Sequence, residues 1–135
     1  MIFLTRQAEF AASVFYHNPS LPAEENRRLF GKSNPSSGHG HNYVLQVTVK
    51  GDVDPLTGMV LDLRELKEIL EKEVMEAMDH RFLNHEVAAF SAVIPTTENI
   101  AIEIWRRLGP RITRGRLHQV RLFETADVFV DYYGE

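Results

Sequence analysis

The amino-acid sequence predicts an α+β fold built on an antiparallel sheet. Segments with the composition of strands lie towards both ends of the chain, and two amphipathic helical segments lie between them. Strands and helices therefore do not alternate as they would in a parallel βαβ arrangement. The length of 135 residues suits one domain with its own core, so we expect a single domain over residues 1–135.

The strand predictions rest on local composition and on turn residues. Each predicted strand mixes apolar and polar positions and contains β-branched or aromatic residues. The second strand ends at a Pro- and Gly-containing turn over residues 54–58, and residues 59–61 are expected to form a short extended piece. The four strands are predicted at residues 2–15, 41–53, 118–125 and 126–133.

Apolar residues at spacings of three and four positions predict the two helices. In the first helix, this stripe runs from Leu63 to Ala77, and Asp62 precedes it as a predicted N-cap. The second helix is expected to begin at Thr96 or Thr97 and to end near residues 109–110. A shorter helix is predicted at residues 22–29, inside the long connection 17–38.

Composition excludes several classes of protein. The formal net charge of -4 and the absence of a Lys/Arg run argue against a nucleic-acid-binding surface. There is no cysteine, so neither a disulfide framework nor a thiolate nucleophile is available. No apolar stretch has the length of a signal peptide or a membrane span. We therefore expect a soluble, cytoplasmic protein that does not bind a membrane.

The segment Gly38-His39-Gly40-His41-Asn42-Tyr43 is the most informative motif. His39 and His41 lie at positions i and i+2 at the start of a predicted strand, so their imidazoles project from the same face. Neutral imidazole is a good zinc ligand, but a catalytic zinc site usually takes three protein ligands. This segment supplies two of them. Taken alone, the pair is equally compatible with a structural or solvent-facing role.

Over nearly its whole length the chain resembles the 6-pyruvoyltetrahydropterin synthase and 6-carboxytetrahydropterin synthase family, and the animal-type 6-pyruvoyltetrahydropterin synthases most of all. Each matching segment is short, but six of them occur in order at the expected separations. They are Glu24-Glu25-Asn26 with Leu29-Phe30-Gly31-Lys32, Gly38-His39-Gly40-His41-Asn42-Tyr43, Asp54-Pro55-Leu56-Thr57-Gly58-Met59-Val60, Asp79-His80 with Leu83-Asn84, Thr96-Thr97-Glu98-Asn99, and Glu124-Thr125.

The resemblance implies the tunnelling fold, or T-fold, in which an antiparallel sheet carries two helices on one face. It also implies a trimeric barrel, with two trimers stacked into a homohexamer and active sites between subunits. Such closure would remove exposed strand edges. The expected ligand is a pterin, and the expected cofactor is Zn²⁺. The implied reaction is a carbon-oxygen lyase step on 7,8-dihydroneopterin triphosphate.

The resemblance also assigns roles to residues of this chain. His39 and His41 match two zinc ligands, and Asp79 with His80 matches a catalytic pair that shuttles protons. Glu124 matches the carboxylate that holds the pterin. The remaining substrate-binding matches are Thr96 and Thr97, at a helix start where free backbone N–H groups are available.

Two positions depart from the family pattern. Val14 stands where the family has its first zinc histidine, and valine has no lone pair for a metal. Ser33 stands where the family has its catalytic cysteine. A serine hydroxyl is a far weaker acid than a thiol with a pKa of about 8.5, so it forms almost no alkoxide at neutral pH. We therefore expect reduced or altered synthase activity.

Other residues offer replacements for the missing groups. His17 or His85 is a candidate third zinc ligand, and Glu24 or Glu25 is a candidate base. Ser33 activated by His80, as in a Ser–His pair, is a third candidate.

Two interpretations without catalysis remain open. Asp79-His80 also suits a helix C-terminus without catalysis. The alternative function for the whole chain is a non-catalytic pterin- or purine-binding protein.

Overall fold

The computed structural model describes residues 1–135 and contains one five-stranded sheet with the strand order β3-β1-β2-β4-β5. Strands β1, β2, β4 and β5 pair as antiparallel neighbours, as the sequence predicts. The two-residue strand β3 runs parallel to β1, so the prediction of a wholly antiparallel sheet is wrong at this edge. The strands are β1 (Ile2–Val14), β2 (His39–Gly51), β3 (Arg81–Phe82), β4 (Arg116–Thr125) and β5 (Val128–Tyr132).

The helices cover the segments that the apolar periodicity predicts. Helix α2 continues through a π-helical turn at Glu71–Met75 into α3, so the first predicted helix is continuous but locally widened. The Asp62 carboxylate accepts the Arg64 N–H at 2.9 Å, and the Thr96 hydroxyl accepts the Asn99 N–H at 3.3 Å. These contacts confirm both predicted caps. The helices are α1 (Ala23–Phe30), α2 (Leu63–Leu70), α3 (Glu76–Met78), α4 (Leu83–Glu86) and α5 (Thr97–Leu108).

Three strand predictions need correction. Residues 59–61 form no strand, because the Met59 carbonyl accepts the Asp54 N–H at 3.0 Å and so closes the preceding turn instead of meeting a sheet neighbour. Residues 126–127 form the turn between β4 and β5, since the ladder between those strands starts at the Thr125–Val128 pair. Strand β2 begins at His39 rather than at residue 41, so both histidines lie within its ladder.

One face of the sheet is apolar and the other is polar. Alternate residues of β1, β2 and β4 join residues of α2, α3 and α5 in a single buried cluster, as expected for an antiparallel sheet with one covered face. On the opposite face, the Thr5 and Thr48 hydroxyls lie 2.7 Å apart, and the Gln46 amide donates to Gln7 at 2.9 Å. The functional residues described below lie at the end of the covered face where β1 ends and β2 begins.

A buried carboxylate joins α5 to the π-helical turn. Glu103 accepts hydrogen bonds from Arg106 and Arg107, each at 2.6 Å. Arg107 also donates to the Glu73 carbonyl at 3.4 Å, and the Glu73 carboxylate pairs with Arg111 at 3.0 Å. Arg107 thus supplies a hydrogen-bond donor to the Glu73 carbonyl of the π-helical turn. None of the helices combines the length and the apolar character needed to cross a bilayer.

Candidate functional site

The strand register brings the two motif histidines together on the covered face of the sheet. In the antiparallel ladder, His39 lies opposite Val14 and His41 lies opposite Ala12. The two imidazole rings meet edge to face with their centroids 5.0 Å apart. Nδ1 of His39 and Nε2 of His41 are both buried, and neither has a hydrogen-bond partner. The spacing of two residues therefore places both rings as the sequence predicts.

Two further buried hydroxyls are also without partners: that of Tyr43, beside the His41 ring, and that of Thr97, beside Tyr16. Tyr43 is fully buried two residues after His41, its ring contacts the His41 ring at 5.5 Å, and its hydroxyl is unpaired. Thr97 is the first residue of α5, and its hydroxyl has no partner at hydrogen-bond geometry. We call His39 Nδ1, His41 Nε2, Tyr43 OH and Thr97 Oγ1 the unpaired cluster. Buried polar groups nearly always have partners, so four unpaired atoms in one region indicate a ligand site.

Tyr16 connects the parts of the unpaired cluster. Its ring meets the His39 ring at a centroid distance of 5.5 Å, and its phenol lies beside the Thr97 hydroxyl. Burial, together with the charges of Glu124 and Glu98, raises the pKa of Tyr16 to about 12, against the opposing influence of the adjacent Thr97 hydroxyl, whose contact with the phenol falls short of hydrogen-bond geometry. Burial also raises the pKa of Tyr43, as do the neighbouring Tyr16 and Glu124. Both phenols are therefore protonated at neutral pH and are available as hydrogen-bond donors.

Glu124 faces the same region from the end of β4. Its Oε2 lies 3.5 Å from His41 Nε2, and its side chain is 27% exposed. Burial and the neighbouring His41 lower the pKa of His39, against the opposing influence of Glu124. A neutral imidazole offers one donor nitrogen and one acceptor nitrogen. The site thus combines a carboxylate with groups that both donate and accept hydrogen bonds.

The residues of the site do not fit a three-ligand zinc centre. Val14 is fully buried opposite His39, so an apolar side chain fills the position from which a third ligand would extend. No group of three or more His, Asp or Glu side chains in the chain is placed to hold a metal ion. The donor set is therefore one ligand short of the usual catalytic zinc arrangement.

His17 and His85, the candidate replacements, lie elsewhere. Both line a separate cavity of about 390 Å³. Nδ1 of His17 is 3.4 Å from the Asn34 amide nitrogen, and the His85 ring is 4.7 Å from that of Phe82. Neither ring joins His39 and His41.

Asp79 and His80 are attached to the outer edge of β1. The Asp79 carboxylate accepts the Ala11 N–H at 2.9 Å, and the His80 N–H donates to the Ala11 carbonyl at 2.6 Å. His80 has a left-handed backbone with φ of 58°, and its Nδ1 is 3.5 Å from the Asp79 carboxylate. Its side chain is 82% exposed and, with His41, lines a groove of about 550 Å³. The pair is thus presented to solvent rather than packed into the unpaired cluster.

Ser33 and the glutamates of α1 occupy the surface beside β1. The Ser33 carbonyl accepts the Tyr16 N–H at 2.7 Å, which ties the 3₁₀ turn at Gly31–Ser33 to the end of the strand. No hydrogen bond joins Ser33 to His80, so the structure contains no Ser–His pair here. Glu24 is exposed, and the pairing of Glu25 with Arg28 lowers the pKa of Glu25 and makes it a weaker base.

Sequence reasoning assigned no role to several residues that shape the site, although they lie in the segments that match the family. The Asn84 side chain donates to the Phe15 carbonyl and accepts the Phe15 N–H, both at 2.9 Å. Asn26 is fully buried in α1 and accepts the Asn18 N–H at 2.7 Å, which fixes the connection after Tyr16. Only Tyr43 left a local signal, since it follows His39 and His41 at the same two-residue spacing.

Comparisons with known proteins agree along the length of the chain. The family profile described as 6-pyruvoyl tetrahydropterin synthase matches residues 3–135. The human protein named 6-pyruvoyl tetrahydrobiopterin synthase is 43% identical over 132 residues, which cover 98% of this chain and 91% of the human one. A Dictyostelium discoideum protein of the same name is 41% identical over 134 residues, covering 99% and 97%.

A solved structure extends this similarity to three dimensions. The 6-pyruvoyl tetrahydropterin synthase of Caenorhabditis elegans superposes with a TM-score of 0.94 at 37% identity. The match covers 99% of this chain and 96% of that one. The backbone described above is therefore similar to that of a solved synthase over nearly its full length.

Proposed function

Because the chain belongs to the 6-pyruvoyl tetrahydropterin synthase family, we propose that it binds 7,8-dihydroneopterin triphosphate or a related dihydropterin beside Glu124 and the unpaired cluster. The unpaired cluster is the observation that carries this proposal. Four buried polar atoms without partners, next to an inward-facing carboxylate, suit a small polar ligand. The whole chain, residues 1–135, acts as a single pterin-binding T-fold domain.

Glu124 is the proposed anchor of the pterin ring. A carboxylate accepts two parallel hydrogen bonds, and the 2-amino group and ring N–H of a pterin offer two donors side by side. The position of Glu124 at the end of β4, beside His41, supports this role. Away from the ring, Thr97 offers its unpaired hydroxyl to the side chain of the ligand, and Thr96 caps the start of α5 that presents it.

The chemistry of the site supports weak or altered lyase activity. The family reaction requires proton transfer at the pterin side chain, for which Asp79 and His80 are the proposed groups. His80 is exposed, and Asp79 holds it at the edge of β1. Ser33 has no partner that would activate its hydroxyl, so the step assigned to the family cysteine is impaired here.

The alternative is a binding protein without catalysis, for a pterin or a purine. The observation in its favour is that Val14 and Ser33 remove two groups of the family chemistry, whereas Glu124 is retained. An enzyme should lose turnover on His80→Ala and still bind pterin. A binding protein should be unaffected by that change.

We further propose that the active unit is a cytoplasmic homohexamer, formed as a dimer of trimers whose sheets close into barrels. The outer strands β3 and β5 each pair on one side only, so both edges of the sheet are open for pairing with other copies. The exposure of His80 also supports a site shared between subunits, because a neighbouring copy could accept it.

The test is pterin affinity in Glu124→Gln, with Glu68→Gln on the exposed face of α2 as the matched control. Loss of a charge-assisted hydrogen bond should raise the Kd for 7,8-dihydroneopterin about 10- to 100-fold. The control should bind as the natural protein does. Equal affinities in all three proteins would refute the role of Glu124.

A further inference from the structure

We propose that the unpaired cluster binds the hydroxyl-bearing side chain of the pterin directly, by hydrogen bonds, and that the site holds no zinc. This inference rests on the proposed function, because it assumes that a dihydropterin occupies the site. It departs from the metal centre that the family resemblance implies. The inference rests on the four buried atoms of the unpaired cluster, which have no hydrogen-bond partners, and on the apolar Val14 side chain opposite His39.

The first step is the shortage of metal ligands. His39 and His41 present two buried nitrogens, but the strand register puts the apolar Val14 opposite His39. No other His, Asp or Glu completes a group of three. Two imidazoles leave a zinc ion short of the three protein ligands that catalytic sites use.

The second step is the hydrogen-bonding capacity of the same atoms. The hydroxyls of Tyr43 and Thr97 each donate and accept, and a neutral imidazole nitrogen does one or the other according to its tautomer. The hydroxyl groups of a polyol side chain also do both, so they can satisfy every member of the cluster. A ligand with no side-chain hydroxyl would leave these atoms without partners.

The third step excludes the phosphate part of a ligand from this position. No Lys or Arg belongs to the unpaired cluster, and the Glu124 carboxylate lies 3.5 Å from His41. A carboxylate repels an anion placed beside it, whereas a neutral hydroxylated chain meets no such repulsion. The cluster therefore suits a neutral hydroxylated chain, and the phosphate groups must extend away from it.

The test compares two probes on protein treated with EDTA and then dialysed. One is 7,8-dihydroneopterin, which carries a trihydroxypropyl side chain, and the other is 6-methyl-7,8-dihydropterin, which carries none. Isothermal titration should show the natural protein binding the hydroxylated probe at least about 10-fold more tightly, the effect of one or more buried hydrogen bonds. Thr97→Val keeps the side-chain shape and should reduce that preference several-fold without weakening the methyl probe.

A surface variant serves as the control. Tyr133→Phe removes an exposed hydroxyl that accepts only a Gln119 amide hydrogen at 3.2 Å, and it should keep the full preference. Metal analysis after dialysis against zinc should find well under one zinc per chain. Val14→His, which adds the missing imidazole, should raise that value towards one.

The outcomes separate this inference from the proposed function. Equal binding of both probes, an unchanged preference in Thr97→Val, or one zinc per natural chain would overturn the inference and leave pterin binding intact. If neither probe binds, the proposed function fails together with the inference. The Thr97→Val result decides the matter even if Val14→His does not fold.

Discussion

Replacing Tyr43 with Phe should stabilise the ligand-free protein, although it removes a polar group from the proposed site. Tyr43 is fully buried, and its hydroxyl has no partner. Burying an unsatisfied hydroxyl costs about 1–3 kcal/mol, and removing it while keeping the ring recovers part of that cost, about 1–2 kcal/mol. The Phe10 and Tyr43 rings stack with their centroids 5.1 Å apart, and a phenylalanine ring at position 43 retains this contact.

For a chain of 135 residues, an unfolding entropy of about 2.1 cal/mol/K per residue converts this gain to a rise in Tm of about 4–7 °C. Scanning calorimetry of the ligand-free proteins measures it. Addition of 7,8-dihydroneopterin should reverse the order, because Tyr43→Phe loses a hydrogen bond to the ligand. Tyr133→Phe, at a 51% exposed tyrosine, should shift Tm by little. A lower Tm for ligand-free Tyr43→Phe would refute the claim that this hydroxyl has no hydrogen-bond partner until a ligand binds.

Two further changes test the framework around the site. Glu103 is buried, which raises its pKa, but hydrogen bonds from Arg106 and Arg107 outweigh burial and lower the pKa below its ordinary value of 4.5. The ionised Glu103 therefore contributes about 1–3 kcal/mol of stability above pH 4.5, and this contribution is lost as the pH falls through the folded-state pKa. Glu103→Gln should lower the free energy of unfolding at pH 7 and make that free energy fall less steeply in acid. Urea denaturation at a series of pH values measures both effects. Asp79→Ala should lower the free energy of unfolding by about 1 kcal/mol, because it leaves the Ala11 N–H unpaired. Asp79→Asn still offers a carbonyl oxygen and should lower it by less. Equal decreases for the two variants in denaturant unfolding would contradict this.

The elements that could be predicted from the sequence are those with a clear local composition or period. Composition and turn residues identified β1 and β2, and the stripe beginning at Leu63 identified α2. The π-helical turn at Glu71–Met75 could not be predicted, because its carbonyl is satisfied by Arg107 from another helix. The parallel strand β3 was missed because two residues carry no period, and their pairing depends on the position of β1.

The site was only partly predictable for a similar reason. His39 and His41 follow from strand geometry, since the spacing of two residues fixes a common face. Thr97 joins them through Tyr16, which comes from a different part of the chain, and no local pattern shows that its hydroxyl is unpaired. Likewise, Asn84 acts on a residue 69 positions away in the chain, so its role appears only in the folded protein.

The most direct measurement is product analysis of the purified protein with 7,8-dihydroneopterin triphosphate, with and without added zinc. We expect the substrate to bind. Triphosphate release should be about 10²- to 10⁴-fold slower than in a Val14→His, Ser33→Cys double variant and should not be restored by zinc, because the resemblance assigns the family's third zinc ligand and catalytic cysteine to these two positions. Rapid zinc-dependent release with a 6-pyruvoyl tetrahydropterin product would contradict the metal-free, impaired site. Failure of the substrate to bind would contradict pterin recognition itself.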